Sequence, residues 1–365
     1  MRDKKVLIIL DDLSGGGAER IFVNIANEFI SQGIDTEFLL GQKKGVYFDI
    51  LEKSIVVHDL DAKSFYDYIK KLRSFLKGKP YTHIFTATHY ISSAAVLAKK
   101  RLKHTAKILA TLHYNLPYQL SILRLPQRLW MKYLNGFFLK RADEVIAVSQ
   151  GVAEGFQKGT GIKRPDIKVI YNPVFDDSIY EKAAEDVANP VFNNGKKTLI
   201  YVGRFAEQKN PALLVKAFQL VLKERNDIQL LMIGQGGLEP EIKKMIRDLQ
   251  LEDNIHLPGF QKNPFAYIAR SNLFVLSSIY EGLPTVLIEA LALGINVVST
   301  DCPNGPDEIL GQGVYGWLAE NNDADSLASA IKNALANPKK PFLLKERAMY
   351  FHKKNIIPEY LNLLN

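Results

Sequence analysis

The sequence predicts an α/β protein made of two doubly wound domains, each on a parallel sheet. Three observations carry this. Short apolar runs bounded by turn signals alternate with amphipathic stretches from end to end. The same strand-helix rhythm occupies both halves of the 365 residues. Between the halves, Tyr171 to Gly195 contains Pro173, Pro190, Gly195 and two Asn-rich turns, which mark a linker.

Lys5 to Leu10 reads as the first strand; its apolar run is far too short for a membrane span and is not that of a signal peptide. Glu19 to Ser31 is the clearest helix of the first half. Strands follow at Thr36 to Leu40, His83 to Thr86, Lys107 to Leu112 and Glu144 to Val148, with helices between them. Pro126 to Arg141 carries Leu129, Trp130, Tyr133, Leu134, Phe137 and Phe138 on one helical stripe, the usual mark of a core face. In the second half the strands are Lys197 to Val202, Gln229 to Ile233, Ile255 to Leu257, Leu273 to Leu276 and Asn296 to Ser299. Helical periodicity returns at Pro341 to Leu364.

Composition narrows the function. The single cysteine, Cys302, excludes an intramolecular disulfide or a cysteine-rich metal site and suits a reducing compartment; it reads as a packing residue. No segment reaches the length of uninterrupted apolar sequence that a spanning helix needs. The net charge of +8 lies wholly in residues 1 to 180, where 27 Lys and Arg face 18 Asp and Glu. Lys63 to Lys107 alone holds eleven basic residues against one acid, Asp67; this is either a solvated helix face or an attractor of anionic partners.

In such folds ligands sit where strands end and helices begin. Ser14-Gly15-Gly16-Gly17-Ala18-Glu19 is the first such loop; its glycines let a ligand approach the backbone, although the spacing is not that of a dinucleotide fingerprint. The second, Gly203-Arg204 to Lys209-Asn210-Pro211, puts two cations on one loop, suited to a diphosphate or simply a charged surface. The third runs from Glu281 through Gly282, Leu283, Pro284, Thr285 and Val286 to Glu289, with two carboxylates eight residues apart and the second about one turn into a helix. Carboxylates accept hydrogen bonds from vicinal hydroxyls, and the helix start beside them favours phosphate. The Asp11-Asp12 pair lacks the spacing and the histidine of a metal site and reads as strand-end acids.

Together with Tyr171-Asn172-Pro173 and the Pro303-Asn304-Gly305-Pro306 turn leading to Glu308, these motifs resemble the family 4 retaining glycosyltransferases of GT-B fold, in order over nearly the whole chain. Within that family the chain is most similar to bacterial enzymes that build polyprenyl-diphosphate-linked oligosaccharides and surface glycans. The resemblance implies two Rossmann-like domains facing across a cleft: residues 1–172, joined by a returning C-terminal helix at about 345–365, form the acceptor side. Residues 173–344 form the donor side. It implies transfer of a hexose or N-acetylhexosamine from a nucleotide-diphosphate sugar, preferably a UDP-sugar, to a lipid-linked or surface-glycan acceptor, with no metal and no cofactor beyond the donor itself.

By that resemblance Arg204 and Lys209 hold the diphosphate, Glu289 the ribose and Glu281 the transferred sugar. Gly16, Gly17, Gly203 and Gly282 give room, and the amides of Leu283, Pro284, Thr285 and Val286 cradle phosphate. Phe260 marks the base-binding loop, and His113, ending a strand, orients the sugar or the incoming hydroxyl. The apolar stretch Leu116 to Leu125, with Leu120, Ile122 and Leu123, joins the basic run as a second anchoring signal, so the expected location is cytoplasmic, peripheral at the inner face of the cell membrane. Nucleic acid is not an expected partner. A nucleotide-sugar epimerase of similar architecture and a non-catalytic donor-binding scaffold are the alternatives; an epimerase would alter the donor with no acceptor present.

Overall fold

The computed structural model describes residues 4–14, 17–187 and 189–365. The chain divides into two compact units: unit 1 is Met1–Pro173 with Lys354–Asn365, and unit 2 is Val174–Lys353.

Unit 1 is built on seven strands: β1 (Lys5–Leu10), β2 (Asp35–Leu40), β3 (Val56–Asp59), β4 (His83–Thr86), β5 (Lys107–Leu112), β6 (Glu144–Ala147) and β7 (Lys168–Val169). Every pairing is parallel, and the order is β3-β2-β1-β4-β5-β6-β7. The order reverses between β1 and β4, where ligands bind in such sheets. Parallel strands covered on both faces need continuous apolar runs, and Val6 to Leu10 is buried throughout. The expectation omitted β3 and β7 because edge strands lack that signal: β3 is four residues with no buried member, and β7 is two residues.

The terminal helix Lys353–Asn362 packs Ile356, Ile357 and Tyr360 into the unit 1 core beside Val6, Phe22 and Phe85. The segment 345–353, expected to travel with it, stays in unit 2, where the helix Pro341–Met349 buries Leu344 and Ala348. The return is paired to the outgoing linker: Val174 N–H donates to Phe351 O, and Lys353 N–H donates to Phe175 O at 2.9 Å.

Unit 2 carries β8 (Lys197–Val202), β9 (Ile228–Ile233), β10 (Ile255–Gly259), β11 (Leu273–Leu276), β12 (Val297–Thr300) and β13 (Trp317–Ala319), all parallel in the order β10-β9-β8-β11-β12-β13. Its reversal falls between β8 and β11. β13, another short edge strand, is also absent from the expectation.

One stretch departs from its sequence reading. Leu116–Ile122 is a helix capped by Asn115, whose side chain accepts from Tyr118 N–H. Leu116 and Leu120 are buried, so Leu120 is core rather than an anchor, and Leu123 is half-buried. In the following helix, Leu125–Leu139, the expected core stripe splits: Leu134 and Phe138 are buried, while Leu129, Trp130 and Tyr133 are exposed.

Candidate active site

At the reversal point of unit 2 the loops after β8 and β11 are tied together. Ile279 N–H donates to Gln208 O at 2.8 Å, Gln208 Nε2 donates to Tyr280 O at 3.1 Å, and Ser277 Oγ donates to Lys209 O at 3.0 Å. Asn210, in the left-handed region at φ 45°, ends the first loop and caps the helix Pro211–Leu222 by accepting from Leu213 N–H. These constraints bring Lys209 Nζ to 2.7 Å from Glu281 Oε1, across 72 residues of sequence. Both side chains are largely buried, at 16% and 6% exposure.

Ser278 Oγ donates to the same Glu281 oxygen at 2.5 Å. Among the described residues Glu281 Oε2 takes no hydrogen bond. Lys209 therefore spends one of its three N–H donors on Glu281 and keeps two. Nothing in the sequence distinguishes Ser278 from Ser277; only the fold turns its hydroxyl to Glu281.

Arg204 lies on the same loop as Lys209, but its side chain is exposed and has no ion-pair partner among the described residues. Gly203 is required by its neighbour: Tyr201 folds back so that its Oη donates to Arg204 O at 3.0 Å, and a Cβ at 203 would lie 2.9 Å from the Tyr201 Oη. A further glycine-rich loop, Gly234-Gln235-Gly236-Gly237 after β9, presses onto this one. A Cβ at Gly234 would meet Gly203 O at 1.9 Å, and Phe205 N–H donates to Gln235 O at 3.0 Å. The glycines were visible in the sequence directly after a strand, and that signal could have found the loop.

The helix Thr285–Ala292 begins after Pro284, which offers no side-chain cap. Its first-turn N–H groups point beyond the helix start, as an anion site requires. The expected cradle of four amides is three, because Pro284 has no N–H. Glu289 is the fifth residue of this helix and is 3% exposed. The loop after β12 braces the start: Glu281 N–H donates to Pro303 O, and Gly305, at φ 101°, leaves only 2.6 Å between a built Cβ and Pro284 Cδ. Cys302 is buried there, and burial, helped by the Glu281 charge, raises its thiol so that it stays protonated. Phe260 stands 67% exposed just beyond β10, whose terminal Gly259 O accepts from Gly234 N–H.

In unit 1, His113 follows β5. Thr111 Oγ1 donates its only proton to Thr86 O at 3.0 Å, so it accepts from His113 Nε2 at 2.7 Å. That assigns the proton to Nε2 and leaves Nδ1 as an acceptor. Phe22 packs edge-on against the ring at 5.7 Å, and burial pushes the imidazole down to about 4, keeping it neutral. Gly17 opens the helix Gly17–Ser31; Gly16 lies outside the described residues. Among the described residues no three His, Cys, Asp or Glu side chains cluster as a metal site would.

The family described as Glycosyltransferase Family 4 matches residues 15–177, and that described as Glycosyl transferases group 1 matches residues 183–350. An N-acetylgalactosamine-N,N'-diacetylbacillosaminyl-diphospho-undecaprenol 4-alpha-N-acetylgalactosaminyltransferase of Campylobacter jejuni is 32% identical over 237 residues, which cover 64% of this chain and 63% of that protein. A Haemophilus influenzae protein described as an uncharacterized glycosyltransferase is 26% identical over 344 residues, 92% of this chain and 91% of its own. Among solved structures, HepE of Anabaena in complex with UDP and glucose superposes with a TM-score of 0.82 at 19% identity over 99% of each chain. A glycosyltransferase of Rickettsia africae gives 0.81 at 20% identity, over 99% of this chain and 98% of that one. At these identities the structural likeness shows the shared GT-B fold. The two family matches take in both units, and the chain belongs to the family 4 glycosyltransferases.

Proposed function

We propose that this chain transfers a hexose or N-acetylhexosamine from a nucleotide-diphosphate sugar, with UDP as the preferred nucleotide, to a lipid-linked or surface-glycan acceptor, with retention at the anomeric carbon and without a metal ion. The observation that carries this reading is the Lys209–Glu281 pair at the reversal point of unit 2, beside an uncapped helix start and on the same loop as the unpaired Arg204. Cleaving the bond from the anomeric carbon to the diphosphate moves negative charge onto the leaving phosphate oxygens. The two remaining Lys209 donors and the Leu283, Thr285 and Val286 amides would receive that charge, and the exposed Arg204 guanidinium would close onto it. These groups supply what a metal ion supplies elsewhere.

Glu289 would accept from the vicinal ribose hydroxyls and Glu281 Oε2 from a hydroxyl of the transferred sugar, while the loop at Phe260 takes the base. His113 Nδ1 is suited to accept from a sugar hydroxyl. The undecaprenol-linked substrate of the Campylobacter relative and the UDP held by HepE support the acceptor and donor classes.

A peripheral membrane location is part of the same reading. The apolar side chains available to a bilayer are Ile122, Leu125, Leu129 and Tyr133, interleaved with exposed Arg124, Arg128 and Lys132. No described helix is long and apolar enough to cross a membrane. Apolar insertion plus basic residues is the two-part signal that stable peripheral binding needs. Replacing Ile122, Leu125 and Leu129 with serine should abolish salt-resistant sedimentation with anionic vesicles; retention of it would remove the insertion.

The testing experiment incubates the protein and EDTA with UDP-linked hexoses and N-acetylhexosamines and a polyprenyl-diphosphate-linked sugar, then analyses the anomer formed. An α-linked product from an α-linked donor is expected. A donor sugar altered without acceptor, or transfer that returns only with magnesium or manganese, would overturn the reading.

A further inference from the structure

Unit 1 contains a cavity of about 460 Å³ whose lining the donor chemistry does not use. It opens at the carboxyl ends of β1, β2 and β4, where Asp11, Gln42 and His89 follow their strands. Its volume falls within the range of small-molecule sites. One wall is aromatic, with Trp130 and Tyr90 among its members.

Two polar groups on the wall are held ready for a ligand. Tyr68 is only 4% exposed, yet its hydroxyl has no hydrogen-bond partner among the described residues. The ring is held edge-on to Tyr90 at 5.9 Å, so the hydroxyl cannot swing away without repacking. Native folds seldom leave a buried hydroxyl unpaired unless something else supplies the partner. The second group is Asp11, whose charge reaches the Tyr68 hydroxyl. Asp11 is half-buried, and burial, with Asp12 and Glu19 nearby, raises its carboxyl to about 6. His89, pushed down to about 4 by burial, is neutral.

The lining selects among ligand classes. Two acids, Asp11 and Asp12, against Lys63 disfavour an anion such as phosphate. A wholly apolar chain would leave Tyr68 and Asp11 unsatisfied. A pyranose ring matches: its C–H face lies against an aromatic wall, and its hydroxyls both donate to a carboxylate and accept from a phenol.

We infer that this cavity binds a pyranose ring of the acceptor glycan, with Tyr68 donating to one ring substituent, Asp11 accepting from a hydroxyl and Trp130 covering the apolar face. The inference rests on the glycosyl-transfer reading and makes Tyr68 and Asp11 determinants of acceptor choice.

The test uses the methyl glycosides of glucose, galactose, N-acetylglucosamine and N-acetylgalactosamine as probes. Of the two tryptophans, Trp317 is replaced by phenylalanine so that emission reports on Trp130 alone. Should Trp317→Phe fold poorly, fluorine NMR of the unmutated chain carrying 5-fluorotryptophan gives the same reading. At least one glycoside should change the signal saturably, and Tyr68→Phe should weaken its binding about tenfold, as expected for one lost hydrogen bond. Asp11→Asn should weaken it comparably, with stabilisation by UDP unchanged in both variants. No saturable response to any probe, in protein that a nucleotide sugar still stabilises, would overturn the cavity. So would a response identical in wild type and both variants. Failure of nucleotide sugars to stabilise the protein, with a glycoside response intact, would instead overturn the donor reading and leave the cavity standing as a sugar site.

Discussion

Replacing Lys209 with alanine separates the catalytic from the structural part of the site. The substitution strands Glu281, which is 6% exposed and keeps only the Ser278 hydrogen bond. Breaking a buried ion pair by removing one partner costs about 3–5 kcal/mol. The 16% exposure of Lys209 and the surviving Ser278 bond place this case near the lower end, at about 3 kcal/mol. For a unit of this size that corresponds to a fall of about 6–12 °C in melting temperature, read by scanning calorimetry. Transfer should fall at least about a hundredfold, the scale of removing one fixed donor to a developing charge. The companion is the double variant Lys209→Met with Glu281→Gln, which leaves no uncompensated charge and should recover most of the lost stability while transfer stays down. A Lys209→Ala variant that melts and transfers like the wild type, or a double variant that regains activity along with stability, would remove Lys209 from the catalytic site.

Arg204→Ala should lower transfer by about a hundredfold or more without moving the melting temperature, because the guanidinium is exposed and unpaired; equal transfer by both proteins would remove it from the diphosphate site. Gly305→Ala should destabilise unit 2 by about 1–3 kcal/mol in calorimetry, since a side chain there is strained at φ 101° and meets Pro284, whereas Gly237→Ala, which meets nothing within 4 Å, should be near neutral. Glu37 gives the pH dependence: burial alone would raise its carboxyl, but bonds from Lys5, Tyr81 and His58 hold it down to about 2 from an ordinary 4.5. Its contribution is therefore fully present above pH 4.5 and lost as pH falls towards 2, so the gap in melting temperature between wild type and Glu37→Gln should close over that window.

Much of this architecture is legible in the sequence because parallel strands buried on both faces are apolar nearly throughout; at Lys197–Val202 and Leu273–Leu276 the predicted strand and the observed one coincide to the residue. The edge strands Val56–Asp59 and Trp317–Ala319 escaped because half-exposed strands carry no such run. The stripe at Leu129 to Phe138 misled for a related reason: periodicity says which residues share a face, not how much of that face finds a partner. Leu134 and Phe138 found one, and Leu129 and Tyr133 did not. In the site, Glu281, Glu289 and Lys209 were nameable from local motifs, but the direct Lys209–Glu281 pair is a product of sheet order, which brings β8 beside β11. Tyr68 was hidden among lysines in a basic run, and only the fold shows it facing a cavity.

A nucleotide-diphosphate sugar seated in unit 2 on the loops after β8 and β11 should stabilise that unit against unfolding. A thermal-shift titration with nucleotide sugars tests it most directly. A cognate donor at about 100 times its dissociation constant should add about 2.7 kcal/mol of stability to the wild type. That gain should be lost in Glu289→Ala and strongly reduced in Arg204→Ala, with both variants folded. A wild-type protein that no nucleotide sugar stabilises, or one stabilised equally after both substitutions, would mean that these loops do not hold the donor.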